Sequence, residues 1–205
     1  MSDHRYHHGD LPNALLDAAE ELIRERGSEA WSLREVSSRV GVSPSAAYHH
    51  FASRNALIGA LSARVFGELG TRLQHAATHA RGDHQARLVA LGSSYVNWAL
   101  EDPAVFRLTF GAGRIEPATP IEPHPHDVLV GELDRLVDSG DLPADARPGA
   151  ETAVWAAVHG LATLLADGII QIDDPQTVDR TTERFIRATL TGLAQEALRA
   201  GERPQ

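Results

Sequence analysis

Apolar residues recur three and four positions apart along most of this chain, the spacing that lines one face of an α-helix. In the first such segment, residues 11–26, Asp10 is a candidate N-cap, Pro12 lies in the first turn and Gly27 is a candidate helix stop. No segment shows a convincing strand pattern. The same spacing predicts helices over residues 33–40, 43–50, 54–80, 84–101, 103–110, 126–138, 149–171 and 176–199. The sequence therefore predicts an all-α protein of about nine helices.

Residues 33–51 combine two short predicted helices with a turn at Gly41, which is the pattern of a helix-turn-helix. Ser32 and Glu35 have the spacing of a capping box at the start of the first helix. The second helix has an outward face of small or polar side chains, as expected for a helix that lies in a DNA groove about 12 Å wide. A generic helical hairpin is the alternative interpretation.

This stretch resembles the DNA-binding module of TetR-family transcriptional regulators. Three residues depart from the family pattern: Pro44 and Ala46 stand where Lys, Gly or Thr are frequent, and Arg54 replaces the usual Lys. The resemblance implies a helix-turn-helix DNA-binding domain at 1–52 and a ligand-binding and dimerisation domain at 53–205. It is carried by Ser32-Leu33-Arg34-Glu35-Val36, Gly41-Val42-Ser43, Tyr48-His49-His50-Phe51, Arg54 and Leu57.

A narrower resemblance concerns the C-terminal half. Arg5-Tyr6-His7-His8-Gly9-Asp10-Leu11, together with Trp155 and the pair His159-Gly160, resembles the subgroup whose C-terminal domain is called WHG.

The first resemblance also implies roles for individual side chains on DNA. Ser45, Ala46 and His49 would face base edges, and Ser32, Tyr48, His50 and Arg54 would contact phosphates. For His50, a core position with a hydrogen bond to the backbone is an equal alternative, and Phe51 is predicted to be core. Arg5 could enter a minor groove, but an uninvolved tail is the favoured interpretation. The predicted DNA-binding residues are Ser32, Arg34, Ser43, Pro44, Ser45, Ala46, Tyr48, His49, His50 and Arg54.

The second half of the chain suggests a partner and an effector. Residues 149–171 are apolar around more of their circumference than one buried stripe needs, and two helices from each of two subunits would complete a four-helix bundle. A two-fold homodimer would place two recognition helices about 34 Å apart on a palindromic operator. Each aromatic candidate for a small, largely apolar effector is alternatively plain core, and His159 is equally a satisfied core residue. The predicted effector-binding residues are Tyr95, Trp98, Phe106, Phe110, Trp155 and His159.

Composition narrows the class of protein. The 205 residues include no cysteine, which excludes disulfides, thiolate zinc sites and cysteine nucleophiles. The sequence contains no run of 18 uncharged apolar residues, so it predicts no membrane span. The N-terminus lacks a signal-peptide pattern, and we therefore expect a cytoplasmic protein.

Enzyme motifs are weak in this sequence. His124-Pro125-His126 lacks the carboxylate spacing of a metal site and is expected in a solvated, proline-rich loop over 111–125, and Gly111–Arg114 follows no strand. We therefore expect no enzyme activity, no metal and no cofactor, and predict a ligand-responsive repressor of transcription. The net charge of −9 is the one feature that favours an alternative, a helical protein that acts through protein contacts.

Overall fold

The computed structural model describes residues 10–27, 29–111 and 120–201, and over these residues the chain is helical with no strand. The all-α prediction is therefore confirmed. The nine helices are α1 Leu11–Arg26, α2 Leu33–Val40, α3 Pro44–His50, α4 Arg54–His79, α5 His84–Glu101, α6 Pro103–Gly111, α7 Pro125–Asp138, α8 Ala150–Ala166 and α9 Pro175–Gly201, with a short 3-10 helix at Ala144–Ala146.

Two helix ends differ from the predictions. Asp10 does not cap α1 with its side chain, because its carboxylate oxygens accept hydrogen bonds from the Asn13 amide at 2.9 and 2.8 Å. The eighth helix ends at Ala166 rather than at 171, because Gly168 adopts a left-handed φ of 69° and the next two amides turn back to the Leu164 carbonyl. Ile169, the continuation of the apolar pattern, is 70 % exposed.

The chain divides into two compact units. The head unit contains the described residues up to Val65 together with 104–111 and 120–121, and the body unit contains Phe66–Pro103 and the described residues from Glu122 onward. The domain boundary predicted at residue 52 marks the DNA-binding module and stays a prediction.

The head unit is built on α1. Leu15, Leu22 and Ile23 of α1 are almost fully buried, and α2 and α3 pack against this helix. Gly41 makes the turn between α2 and α3 with a left-handed φ of 78°, which glycine adopts without steric cost. Arg39 then fixes α2 to α1 through two hydrogen bonds to Glu25 at 2.9 and 2.8 Å.

The body unit contains three helices that pack pairwise, α5, α8 and α9, with α7 against α5. Gly92 allows the close approach of α5 to α9, because an added Cβ would lie 2.4 Å from Cδ1 of Ile186. Glu132 of α7 is 5 % exposed and accepts two hydrogen bonds of 2.7 Å from Arg87 of α5. Among the described residues, no helix combines the length and apolar character needed to cross a membrane.

Candidate functional site

The helix-turn-helix begins with the capping box that the sequence predicted. The Ser32 hydroxyl oxygen accepts a hydrogen bond from the Glu35 amide at 3.3 Å, and the Glu35 carboxylate accepts one from the Ser32 amide at 2.9 Å. This bond from the Ser32 backbone, followed by a bond from Arg26, holds the pKa of Glu35 below its ordinary value. The Ser32 side chain is thus engaged in capping α2, and its contact with a phosphate stays a prediction.

Helix α3 is held by its start and by its buried side. The Ser43 hydroxyl accepts a hydrogen bond from the Ala46 amide at 3.2 Å, and Pro44 occupies the first helical position. Ala47 is fully buried and Phe51 is 9 % exposed, so Phe51 is core as predicted. These contacts fix the helix from one side.

The other side of α3 is open. Ser45, Tyr48 and His49 are exposed and Ala46 is partly exposed, so the residues predicted to face DNA share an accessible surface. His50 is exposed as well, with its ring 5.4 Å from that of His49, which excludes the core position considered for it.

The charge of this region differs from that of the whole chain. Between Glu35 and Glu68 the sequence contains no Asp or Glu, although the chain has 28 acidic residues and a net charge of −9. Arg34, on the first turn of α2, is exposed. A segment without carboxylates suits contact with the phosphates of a nucleic acid.

Arg54 has a neighbour that sequence reasoning missed. Its guanidinium carbon lies 4.4 Å from the centre of the Trp31 ring, in the geometry of a cation–π contact. The two residues are 23 positions apart, and no motif in the sequence joins them. The predicted contact of Arg54 with a phosphate therefore has to be considered together with Trp31.

Four of the six predicted effector residues come together in the body unit. The Tyr95 hydroxyl and Nδ1 of His159 are hydrogen-bonded at 2.8 Å, which joins α5 to α8. The Trp98 ring lies 5.9 Å from that of Tyr95, and the Trp155 ring lies 6.3 Å from that of His159. The remaining two residues, Phe106 and Phe110, belong to the head unit, where their rings are 5.3 Å apart.

Burial sets the protonation of the Tyr95–His159 pair. It raises the pKa of Tyr95 well above its ordinary value, against a smaller opposing effect of a hydrogen bond with Trp155, and it lowers the pKa of His159. Both side chains are therefore neutral around pH 7. The pair supplies one fixed hydrogen bond within this cluster of aromatic rings.

The sequence missed two further members of this cluster. His124 and His126 were expected in a solvated loop; His124 does lie in the loop before α7, but His126 lies in the first turn of that helix, and both side chains are only partly exposed. His124 is the N-cap of α7, where its Nδ1 accepts a hydrogen bond from the His126 amide at 3.2 Å, and its ring stacks on Phe66 at 5.5 Å. The His126 ring lies 6.5 Å from that of Trp155. Periodicity carried no signal for these contacts, because they join helices that are distant in sequence.

Within the residues that the structure describes, no group of three or more His, Cys, Asp or Glu side chains could hold a metal ion.

An exposed recognition helix without carboxylates, together with a helical body that carries an aromatic cluster, defines a helix-turn-helix DNA-binding regulator. Comparison with known protein families identifies the family of this regulator. The model of the tetR family of bacterial regulatory proteins matches residues 15–61, and the model of the tetracyclin repressor-like C-terminal domain matches residues 88–189. The chain therefore belongs to the TetR family, whose members are transcriptional regulators rather than enzymes and bind DNA and small-molecule effectors. The WHG subgroup stays a prediction, and residues 5–9, which help to carry it, lie outside the described residues.

Individual relatives agree with this placement. The transcriptional regulator BetI of Brucella suis is 35 % identical over 98 residues, which are 47 % of this chain and 49 % of BetI. The chain thus spans about half the length of this curated relative. The structure of a protein of unknown function from Rhodococcus sp. RHA1 is 30 % identical with a TM-score of 0.78 and covers 94 % of this chain and 100 % of that one. FadR of Bacillus subtilis, solved with stearoyl-CoA, shares the fold at 15 % identity and a TM-score of 0.69, over 88 % of this chain and 98 % of its own.

Proposed function

We propose that this chain is a ligand-responsive repressor that binds a palindromic DNA operator as a homodimer in the cytoplasm. The observation that carries the proposal is the exposed face of α3, which is fixed by a buried side and lies in a segment without carboxylates. Because its buried side fixes α3 to the rest of the head unit, the helix can enter a major groove without moving relative to that unit.

On this proposal, the length and the chemistry of each α3 side chain determine which part of the DNA it contacts. Ser45 and Ala46 are short enough to reach base edges, where a hydroxyl donates or accepts and a methyl group contacts thymine. Tyr48 and the two histidines reach further and contact phosphates or base edges. Arg34 adds a positive charge at the start of α2.

The apolar surface of α8 and α9 supports the homodimer. Trp155 is 38 % and Phe185 is 43 % exposed in the single chain, although both are large and apolar. A Cβ added at Gly192 of α9 would meet no atom within 4 Å. This part of the helix surface therefore has room for a closely packed partner helix. Two copies of these helices would bury the exposed aromatics in a four-helix bundle.

The aromatic cluster of the body unit supports a small effector. Trp98 and Trp155 offer ring surfaces, and the buried Tyr95 orients His159 through the hydrogen bond between them. Such a surface suits a largely apolar or aromatic molecule with few polar atoms, because each buried polar atom needs a partner. FadR, which shares the fold, was solved with a ligand that carries a long acyl chain.

Regulation then follows from a shift between conformations. An effector that binds better to the conformation in which the two heads do not match successive grooves lowers operator affinity by the ratio of its affinities for the two states.

The test starts from DNA that the protein itself selects. The purified chain is incubated with a random pool of duplexes, and the retained fragments are sequenced and measured at two salt concentrations. We expect an inverted repeat, bound by two chains per duplex, with affinity well above that for shuffled DNA. Retention of all sequences alike, or of none, would contradict the proposal and favour a role in protein contacts.

A further inference from the structure

Trp31 and Arg54 form a contact in the head unit that the resemblance to known regulators did not suggest. Trp31 precedes the capping box of α2 and is 5 % exposed, and Arg54 is the first residue of α4. The guanidinium lies over the indole ring at 4.4 Å. The starts of α2 and α4 are therefore joined by a cation–π pair.

The polar atoms of this pair have no acceptor. Nε1 of Trp31 and both Nε and Nη2 of Arg54 are buried without a hydrogen-bond partner. A buried donor that stays unpaired costs free energy, and a charged donor costs more. The pair is therefore held by the cation–π contact and not by hydrogen bonds.

Two arginines of the head unit that are also partly covered form ion pairs. Arg39 is paired with Glu25 and Arg64 with Asp17 and Glu20, whereas no carboxylate among the described residues is paired with Arg54. The charge of Arg54 is thus left for an anion outside the chain. Because DNA is the anion that the neighbouring helix α3 faces, a backbone phosphate is the ligand of the right chemistry.

We propose that Trp31 is a positioning residue that holds Arg54 for one phosphate of the DNA backbone, so that the two side chains bind it as a unit. This inference rests on the proposed function. The Trp31 ring limits the positions that the guanidinium can take. Nη1 is the one nitrogen of Arg54 outside the enclosed set, so it is the atom placed to meet a phosphate oxygen. Fixing the side chain beforehand reduces the entropy lost on binding.

The pair also accounts for a departure from the family pattern. A lysine at position 54 would carry the same charge, but a compact ammonium cannot lie flat on an indole ring as a planar guanidinium can. Arginine at position 54 therefore makes a contact with the indole ring of Trp31 that lysine could not make.

The experiment is a double-mutant cycle on the selected operator. Trp31→Leu and Arg54→Gln should each weaken binding by about tenfold, and the double variant should bind no more weakly than Arg54→Gln alone. The logarithmic slope of affinity against salt should fall by about one unit in both single variants, since each loses the same phosphate contact. A tryptophan that only fills the core would leave that slope unchanged.

Matched variants separate positioning from folding. Arg34→Gln removes an exposed arginine that does not lie on Trp31, so its effect should add to that of Trp31→Leu. Trp31→Phe keeps a ring under the guanidinium and should lose less affinity than Trp31→Leu, and it serves for the cycle if Trp31→Leu does not fold. Circular dichroism on each variant checks the helices.

The outcomes distinguish this inference from the proposed function. If the unaltered chain selects no DNA, both are overturned. If it binds an operator and the effects of Trp31 and Arg54 substitutions add, or the salt slope of the Trp31 variants is unchanged, the inference alone is overturned.

Discussion

Tyr48 is 48 % exposed on α3, while its neighbour Ala47 is fully buried. This contrast at the scale of single residues separates the side chains that hold the helix from those free to meet a ligand. Ser45, also exposed, is short and points to a different role on DNA from that of the long Tyr48.

Substitutions at these two positions should therefore differ in kind. Tyr48→Ala should weaken binding to all sequences, since it removes a contact with the backbone, whereas Ser45→Ala should change the preference at one or two base pairs by about 1–3 kcal/mol. Binding of the selected operator and of its single-base variants, measured at one salt concentration, compares the two. If neither substitution changes binding, α3 is not the recognition helix.

The Tyr95–His159 pair makes stability depend on pH. Burial lowers the pKa of His159 below 6.5, so the unfolded chain takes up a proton before the folded chain does. The stabilising contribution is complete above that value and is lost as the pH falls through it towards the lower pKa of the folded state.

We expect the free energy of unfolding to fall as the pH decreases below 6.5, and to fall less in His159→Gln, which cannot titrate. Urea unfolding at a series of pH values measures this difference. His50→Gln, which makes the same substitution at an exposed histidine, is the matched control. An identical pH dependence in His159→Gln would show that the proton is taken up elsewhere.

At the scale of elements, the sequence predicted best what adjacent residues determine. The bounds of α2 followed from Ser32, Glu35 and Gly41, because a capping box and a left-handed glycine act within one turn of their own helix. The end of α8 failed because Ile169 continues an apolar pattern beyond the residue at which the backbone turns. Capping residues therefore predict the start of a helix better than the spacing of apolar residues predicts its end.

Contacts between elements were beyond the reach of the pattern. Four of the predicted effector residues do share one cluster, but the Tyr95–His159 bond spans 64 positions, and neither it nor the Trp31–Arg54 contact leaves a periodic signal. The sequence could name aromatic and basic candidates by type. Only the packing of helices shows which of them meet.

The packing of α4 against the chain before α7 gives a prediction at this scale. An added Cβ at Gly70 would lie 1.8 Å from the Pro123 carbonyl oxygen, which is backbone and cannot move aside cheaply. Gly70→Ala should therefore destabilise the protein by about 1–3 kcal/mol.

Gly131 is the matched control, because an added Cβ there meets nothing within 4 Å. Gly131→Ala should stabilise α7 by about 0.5–1 kcal/mol through helix propensity. Thermal unfolding of both variants gives the comparison, and equal effects would show that α4 does not need the close approach.

At the scale of the whole molecule, the proposed homodimer separates two apolar positions that look alike in sequence. Leu161 is 2 % exposed and Phe185 is 43 % exposed in the single chain. A charge at the first would lie in the core of the subunit, whereas a charge at the second would lie on the surface proposed to meet a partner.

Phe185→Glu should therefore leave the helices intact and produce monomers, whereas Leu161→Glu should unfold the chain, since a buried unpaired charge costs several kcal/mol. Sedimentation velocity at micromolar concentration and circular dichroism read the two effects separately. A monomer in the unaltered chain would refute the dimer, and a dimer in Phe185→Glu would place the interface elsewhere.

The stretch without carboxylates between Glu35 and Glu68 also bears on how fast the protein finds DNA. Because the whole chain carries a net charge of −9, the residues outside this stretch are more negative still, and DNA repels them at long range. The rate of encounter then depends on the orientation of the protein: DNA is repelled less when this stretch faces it than when any other part of the protein does. A negative charge added far from α3 would slow association and leave dissociation unchanged, and added salt would erase the difference.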